Sequence, residues 1–146
     1  MKTKFIDAYM DTAKRFAELS HCERLKVGAI VVKDDRIISI GYNGMPTGWD
    51  NCCEDVVRQD EMGYSVYKTR DEVLHAEANA LTKLAKSTES GDGASLFCTH
   101  SPCIDCAKLI AQSGITDVYY EQDYRSKDGL IFLTKSGLLI HNVKTH

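Results

Sequence analysis

Two short segments rich in metal ligands constrain the fold of this 146-residue chain more than any other feature. The first contains His75 and Glu77, and the second contains Pro102, Cys103 and Cys106. One imidazole and two thiolates give a zinc ion three protein ligands and leave the fourth tetrahedral position for water, as in catalytic zinc sites. A fold that uses both segments for one ion must bring them side by side.

The spacing within each segment assigns a role to each side chain. Cys103 and Cys106 are three residues apart and share one face of a helix. Pro102 precedes them, where a helix can start, and the first turn of a helix favours the thiolate that a metal requires. On a helix, Glu77 diverges from His75 by about 200°. We therefore interpret Glu77 as a general base and not as a fourth ligand.

Each half of the motif has an ordinary explanation when it occurs alone. A Cys-x-x-Cys pair is also typical of a redox pair or of half a structural zinc knuckle. A His-x-Glu pair occurs by chance at many helix starts. Together and in this order, they match the H-x-E…P-C-x-x-C signature of zinc nucleobase deaminases. In that class, water attacks the amine-bearing ring carbon, and the glutamate shuttles protons until ammonia leaves.

Length and composition narrow the class of protein. The chain is long enough for one ordinary core, so we expect one domain over residues 1–146. Its 43% hydrophobic and 27% charged residues are typical of a globular protein. A net charge of -3 argues against a partner such as a nucleic acid polymer. Apolar runs fall short of the roughly 18 residues of a membrane span, and the N-terminus lacks a long apolar segment, so we expect a cytoplasmic location without membrane contact.

The six cysteines are expected to be reduced thiols and metal ligands rather than a disulfide scaffold. Cys98 lies in an apolar segment and is expected to be core packing. A second, structural zinc is a further hypothesis. It would use Cys22 with Cys52 or Cys53, and His21 is the one obvious sequence neighbour that could help to complete the ligand set.

Hydrophobic periodicity predicts alternating elements. Helices are expected near residues 5–16, 75–86, 103–113 and 128–136, and strands near 27–32, 37–40, around 96, at 118–120 and at 138–142. The segment from Tyr42 to Asp71 is predicted to be irregular. This alternation predicts an α/β fold of three α/β/α layers, with a mixed five-stranded sheet and helices on both faces.

Several sequence segments beyond the metal motif resemble a known family. The segments Val27 to Ala29, Gly41 to Gly48, His75 to Ala80 and Ser101 to Ile110 occur in one order. In that order they resemble the deoxycytidylate (dCMP) deaminases, and the similarity extends from about Val27 to Tyr124. The metal motif alone identifies only the wider deaminase superfamily, whereas the Gly-Tyr-Asn-Gly-Met-Pro segment is the more specific marker.

The resemblance implies an activity and a set of site residues. It implies zinc on His75, Cys103 and Cys106, with proton transfer by Glu77. It also implies conversion of dCMP to dUMP and ammonia, a supply for thymidylate synthesis. The substrate contacts that it implies are Asn43, Ala76 and Tyr124. An Asn-Gly pair also commonly supports a turn, so Asn43 has two open roles.

Cations are needed for the 5′-phosphate of such a substrate. Arg24, Lys26 and Arg125 flank the expected site, and each is equally expected to be a solvated surface charge. His100 is expected at the rim of the pocket.

Regulation is also implied by the resemblance alone. Family members are often homohexamers activated by dCTP and inhibited by dTTP, each with Mg²⁺. The corresponding loop here contains Gly44, Met45, Pro46 and Gly48.

Other functions compete with this interpretation. Deamination of adenosine in transfer RNA or of guanine uses a related zinc core, although a transfer RNA enzyme should be more basic near its end. Free cytidine deaminases typically have Cys where this chain has His75. A non-catalytic, zinc-stabilised binding module is the alternative from another class, and it predicts that Glu77→Gln leaves function intact.

Overall fold

The computed structural model describes residues 1–144, which form four helices and seven strands. In chain order they are α1 (Thr3–Ala17), β1 (Gly28–Lys33), β2 (Arg36–Tyr42), β3 (Glu54–Gln59), β4 (Ser65–Thr69), α2 (Ala76–Ala85), β5 (Ser95–His100), α3 (Ile104–Gln112), β6 (Asp117–Gln122), α4 (Asp128–Lys135) and β7 (Leu139–Asn142). Among residues 1–144, the helices are all too short or too polar to span a bilayer.

Five of the strands form the main sheet, in the order β2-β1-β5-β6-β7. Strand β1 is antiparallel to both β2 and β5. Strands β5, β6 and β7 are parallel, so α3 and α4 serve as crossover connections. The predicted mixed five-stranded sheet is confirmed.

Helices cover the two faces of this sheet unequally. Successive residues of a strand point to opposite faces, and β1 is buried on both. Ile30 and Val32 pack into a cluster with Met10 and Ala13 of α1. Val31 belongs to the other cluster, which contains the buried residues of α2, α3 and α4. The predicted three-layer α/β/α fold is therefore confirmed, with one helix on one face and three on the other.

The segment predicted to be irregular contains regular structure. Strands β3 and β4 form a separate two-stranded antiparallel hairpin, so the prediction of irregular chain up to Asp71 is wrong there. The two strands pack mainly against each other rather than against the main sheet. Nearly all residues of β3 and most residues of β4 are exposed, including Val56 and Val57 at 56% and 53%, so both faces of the hairpin meet solvent. Such a strand lacks the alternation of buried and exposed residues from which strands are recognised.

Candidate metal centre and active site

The first two candidate ligands occupy equivalent places at the starts of two helices. His75 is the N-cap of α2, and Cys103 is the N-cap of α3. Both have extended backbone, and neither side chain caps its own helix. Cys106 lies in the first turn of α3. The helices thus start one residue later than predicted, which leaves the imidazole and the Cys103 thiol free to turn towards an ion.

Close backbone contacts bring the start of α2 to the sheet and the start of α3 to α4. A Cβ atom at Gly41 of β2 would overlap the backbone of Ala76 and Ala80, so only glycine lets α2 lie this close. A Cβ atom at Gly129 of α4 would overlap the carbonyl of Pro102, immediately before Cys103. The two glycines therefore help to set the positions of both ligand segments.

The three candidate ligand atoms lie at distances that suit one zinc ion. His75 Nδ1 lies 3.3 Å from Cys103 Sγ and 3.5 Å from Cys106 Sγ, and all three atoms lie within 4.8 Å of one another. Ordinary Zn–N and Zn–S bonds at a tetrahedral angle separate such atoms by about 3.5 Å. The donor set and its spacing fit zinc with three protein ligands.

The electrostatics of the group favour a thiolate on Cys103, whereas the hydrogen bond with Cys103 raises the pKa of Cys106. Hydrogen bonds from Cys106 and then from His75 lower the pKa of Cys103 to about 4. The same contact with Cys103 raises the pKa of His75. A thiolate beside an imidazole is the state that metal binding requires of Cys103.

Glu77 is buried next to this group and outside its ligand set. It is 4% exposed and lies in the first turn of α2. Burial raises the pKa of its carboxyl group, although a hydrogen bond with Cys106 opposes that change. A raised pKa brings a carboxylate nearer to the value that suits a general base at neutral pH.

A cavity of about 380 Å³ opens above the metal centre. Its size lies within the usual range for small-molecule sites. Its wall includes His75, Ala76, Glu77, Cys103, Asn43 and Tyr124. A candidate general base and two candidate metal ligands therefore face one space that could hold a small molecule.

Known proteins are similar to this chain in sequence. The family described as the cytidine and deoxycytidylate deaminase zinc-binding region matches residues 3–122. The chain belongs to that family. The deoxycytidylate deaminase of Mycobacterium phage D29 is 43% identical over 120 residues, which cover 79% of this chain and 92% of that protein. ComE operon protein 2 of Bacillus subtilis (strain 168) is 39% identical over 118 residues. That alignment covers 81% of this chain but only 59% of the relative's length.

A solved structure extends the similarity to the whole fold. The crystal structure of dCMP deaminase from the cyanophage S-TIM5, in complex with dCMP and dUMP, is 49% identical in sequence. The match has a TM-score of 0.87 and covers 98% of this chain and 99% of that one. The three-layer α/β/α fold predicted from the sequence is thus shared with a solved dCMP deaminase, and it is the cytidine-deaminase fold.

In this member of the deaminase family, Asn43 has a structural role beside its place in the cavity wall. It is 9% exposed. Its side-chain oxygen accepts a hydrogen bond from Val27 N at 2.9 Å, and its amide nitrogen donates to Leu25 O at 2.7 Å. These bonds hold the chain that enters β1. The second hydrogen of the amide group is the donor that a ligand could use.

The three predicted phosphate-binding cations lie in different surroundings. Arg24 and Arg125 line the cavity. The Arg125 guanidinium lies 5.5 Å from the centre of the Tyr124 ring. Lys26 lies outside the cavity wall, and its ammonium group donates a hydrogen bond to Ser20 O.

The predicted regulatory loop pairs with the chain segment that leads into His75. Gly44 pairs with Leu74, the residue before His75, through two backbone hydrogen bonds of 3.1 and 2.8 Å. Gly48 has a φ of 88°, which favours glycine. Met45 and Pro46 are half-buried. The loop is therefore tied directly to the segment that carries the imidazole ligand.

Two of the four remaining cysteines differ from expectation. Cys22 and Cys53 form a disulfide, so the prediction that they are reduced thiols is wrong. A disulfide offers no thiolate to a metal. Cys52 is exposed, and its thiol donates a hydrogen bond to Glu54 O. Cys98 is buried in the core, as predicted.

A carboxylate accompanies this disulfide. Oε1 of Glu54 accepts hydrogen bonds from Glu23 N at 3.0 Å and Arg24 N at 3.1 Å. We call Cys22, Glu23, Arg24, Cys53 and Glu54 the clasp. It fastens the loop before β1 to the first residue of the β3–β4 hairpin.

Several residues that line the cavity were not predicted from the sequence. Thr69 and Val73 reach the cavity through the hairpin and the chain that follows it, and Gln122 and Asp123 follow β6. Gln122 and Asp123 could have been predicted from the sequence. They lie at the end of β6, and the end of the neighbouring parallel strand β5 leads into the Cys103 motif. His100 lines the cavity as expected, and burial lowers its pKa.

Proposed function

We propose that this chain deaminates dCMP to dUMP and ammonia, a reaction that supplies thymidylate synthesis. The observation that carries the proposal is the buried carboxylate of Glu77 beside the His75, Cys103 and Cys106 donors, at the floor of a nucleotide-sized cavity. Relatives named deoxycytidylate deaminase support dCMP as the substrate.

The chain's own residues account for the proton transfers of this hydrolysis. His75, Cys103 and Cys106 would hold zinc, which acts as a Lewis acid towards water. Glu77 accepts the proton of the attacking water and delivers protons to the departing amino group. A carbon–oxygen bond forms at the ring carbon, the carbon–nitrogen bond breaks, and ammonia leaves. Burial of Glu77 keeps bulk water from competing for these protons.

Substrate binding is proposed for the upper part of the cavity. The free amide hydrogen of Asn43 would donate to the sugar or base, and the Tyr124 ring would pack against the nucleotide. Ala76 lines the floor, where its small side chain leaves room for the ring. Arg24 and Arg125 would bind the 5′-phosphate. The other cation, Lys26, is proposed as a surface charge, since Ser20 O occupies its ammonium group.

The decisive experiment measures ammonia release from dCMP, deoxycytidine, cytidine, adenosine and guanine by the purified protein. We expect dCMP to be the preferred substrate by a wide margin. In the same assay, Glu77→Gln should lower turnover by about 100-fold or more, while bound zinc stays at the wild-type level. Preference for adenosine or guanine would replace the proposed substrate. Full turnover by Glu77→Gln would exclude Glu77 as the base.

Regulation is a further part of the proposal. We propose that dCTP activates and dTTP inhibits, each with Mg²⁺, through the loop of Gly44, Met45, Pro46 and Gly48. The backbone pairing of Gly44 with Leu74 supports this, because it connects the loop to His75. A homohexamer is proposed as the assembly. Flat dCMP kinetics across both effectors would refute the regulation, and a monomer in light scattering would refute the assembly.

A second zinc ion is proposed only for the reduced protein. Cys22, Cys53 and Glu54 offer ligand atoms within 4.8 Å of one another, and reduction would supply two thiolates. Two zinc ions per chain after purification with a reductant would support this site, and one would exclude it. Cys52 lies outside this group. A cytoplasmic location and the absence of a nucleic acid polymer as partner stay predictions, the second supported by the net charge of -3.

A further inference from the structure

We infer that Glu54 is a positioning residue that holds Arg24 in place for the phosphate of the nucleotide. The inference rests on the proposed function, in which the substrate is a 5′-monophosphate. Glu54 is a carboxylate in the wall of a cavity that should attract an anion. A negative charge there weakens phosphate binding through space, so its presence requires another role.

The hydrogen bonds of Glu54 indicate that role. A single carboxylate oxygen accepts from two successive backbone amides, those of Glu23 and Arg24. Bonds of this kind to an ionised acceptor are stronger than neutral ones. They fix the direction in which the chain leaves Cys22, and therefore the starting point of the Arg24 side chain.

The far end of the Arg24 side chain is held from the same place. Arg24 Nη1 donates to Thr69 Oγ1 at 3.3 Å. Thr69 lies directly opposite Glu54 in the register of the β3–β4 hairpin. One pair of facing residues thus holds the arginine at both ends, the backbone through Glu54 and the guanidinium through Thr69.

This arrangement leaves the charge of Arg24 available. Within residues 1–144, the hydrogen-bond partner of the guanidinium is a neutral hydroxyl, and its ion pairs with carboxylates are absent. Glu54 is close by, but its Oε1 contacts the backbone amides of Glu23 and Arg24 and not the guanidinium. An arginine that is oriented without being neutralised is suited to an incoming phosphate, since less side-chain entropy is lost on binding.

The disulfide completes the attachment. Cys22 comes directly before Glu23 and Arg24, and Cys53 comes directly before Glu54. The covalent bond between the two cysteines therefore holds the loop against the hairpin. The β3–β4 hairpin packs mainly on itself. Its first and last residues therefore serve the cavity, while its tip at Gly63 lies at the other end. We assign to this hairpin the preference for nucleotide over nucleoside.

The test compares dCMP with deoxycytidine in four variants, with kcat and KM measured for each. Glu54→Ala removes the acceptor, and we expect the KM for dCMP to rise about tenfold, with little change in kcat or in the values for deoxycytidine. Glu54→Gln retains a carbonyl oxygen that can accept both amides, and it should restore the KM to near the wild-type value. Arg24→Ala should raise the KM for dCMP at least as much as Glu54→Ala. The matched control is Glu61→Ala, an exposed carboxylate at the hairpin turn.

Each alternative outcome has a separate meaning. A lower KM for dCMP in both Glu54 variants would show that the carboxylate only repels the phosphate, and would overturn the inference. Equal losses on both substrates, with a lower melting temperature, would show a general structural role and also overturn it. An unchanged preference for dCMP in Arg24→Ala would overturn the inference while leaving dCMP deamination intact. If the wild-type protein fails to deaminate dCMP, the proposed function itself fails.

Discussion

The metal centre and the clasp both contain a pair of cysteines beside a glutamate, but the folds around them differ. Cys103 and Cys106 belong to one helix start, and their backbone is set by α3 and by its close contact with α4. Cys22 and Cys53 come from two loops with a sequence separation of 31 residues. The first pair lies beside the imidazole of His75. The second pair lies beside backbone amides that donate hydrogen bonds to the Glu54 carboxylate.

This difference indicates what each pair can do. Cysteines on one helix turn are held apart at a distance that suits two ligands of one ion, with a donor from α2 as the third. Cysteines on separate loops can approach each other fully and form a bond that fastens the loops. The element that carries each thiol therefore decides between a reactive site and a structural crosslink.

The sharpest test of this contrast replaces one cysteine in each region. Cys106→Ser removes a metal ligand, and we expect dCMP turnover to fall by more than about 100-fold, since even indirect changes at metal sites cost about 10- to 100-fold. Cys53→Ser should retain turnover at saturating dCMP. Metal analysis and kinetics on both variants check this. Similar losses of turnover and of zinc in the two variants would break the comparison.

Loss of the crosslink should also lower the stability of the protein. A crosslink that closes a loop of this length contributes about 3–4 kcal/mol by restricting the unfolded chain. We therefore expect the free energy of unfolding of Cys53→Ser to fall by about that amount, as measured by chemical denaturation under oxidising conditions. Addition of a reductant to the wild-type protein should produce the same loss. No effect of the reductant on the wild type would contradict the assignment of a disulfide.

Two buried serines provide a subtler comparison. Ser101 Oγ accepts a hydrogen bond from Tyr124 N at 2.7 Å beside the metal centre. Ser20 Oγ donates to Asn43 O at 2.8 Å and accepts from Cys22 N beside the clasp. Each change to alanine should cost about 1–3 kcal/mol of stability, because it leaves partners unsatisfied.

Their kinetic effects should separate the two serines. Ser101→Ala should also raise the KM for dCMP, since Tyr124 loses its anchor, whereas the Ser20→Ala effect should appear mainly as a lower melting temperature. Thermal unfolding and steady-state kinetics measure both quantities. Equal kinetic effects would show that the two regions are not independent.

The smallest expected effect concerns Arg125, which lines the cavity, and Lys26, which lies outside it. Arg125→Ala should raise the KM for dCMP several-fold, which corresponds to about 1 kcal/mol, and should leave deoxycytidine kinetics unchanged. Lys26→Ala is the matched control, since its ammonium group bonds to Ser20 O outside the cavity. Equal effects of Arg125→Ala on the two substrates would remove that residue from phosphate binding.

The sequence by itself determined the elements whose signals are local. The helices and the five strands of the main sheet follow from the spacing of apolar residues within a few turns or strand lengths. The metal ligands were predicted from equally local patterns, because Cys103 and Cys106 share one turn and the H-x-E pattern marks His75 as their partner. These features needed no knowledge of distant contacts.

Only the tertiary structure decided how distant segments meet. The Cys22–Cys53 pairing, the place of Glu54 on the Arg24 amide and the difference between Arg24 and Lys26 all depend on where the β3–β4 hairpin lies. That hairpin is exposed on both faces, so no burial pattern marks its strands. Contacts between segments more than 30 residues apart arise from the packing of the whole chain. Local periodicity reports only which face of an element is buried, and so it carries no information about them.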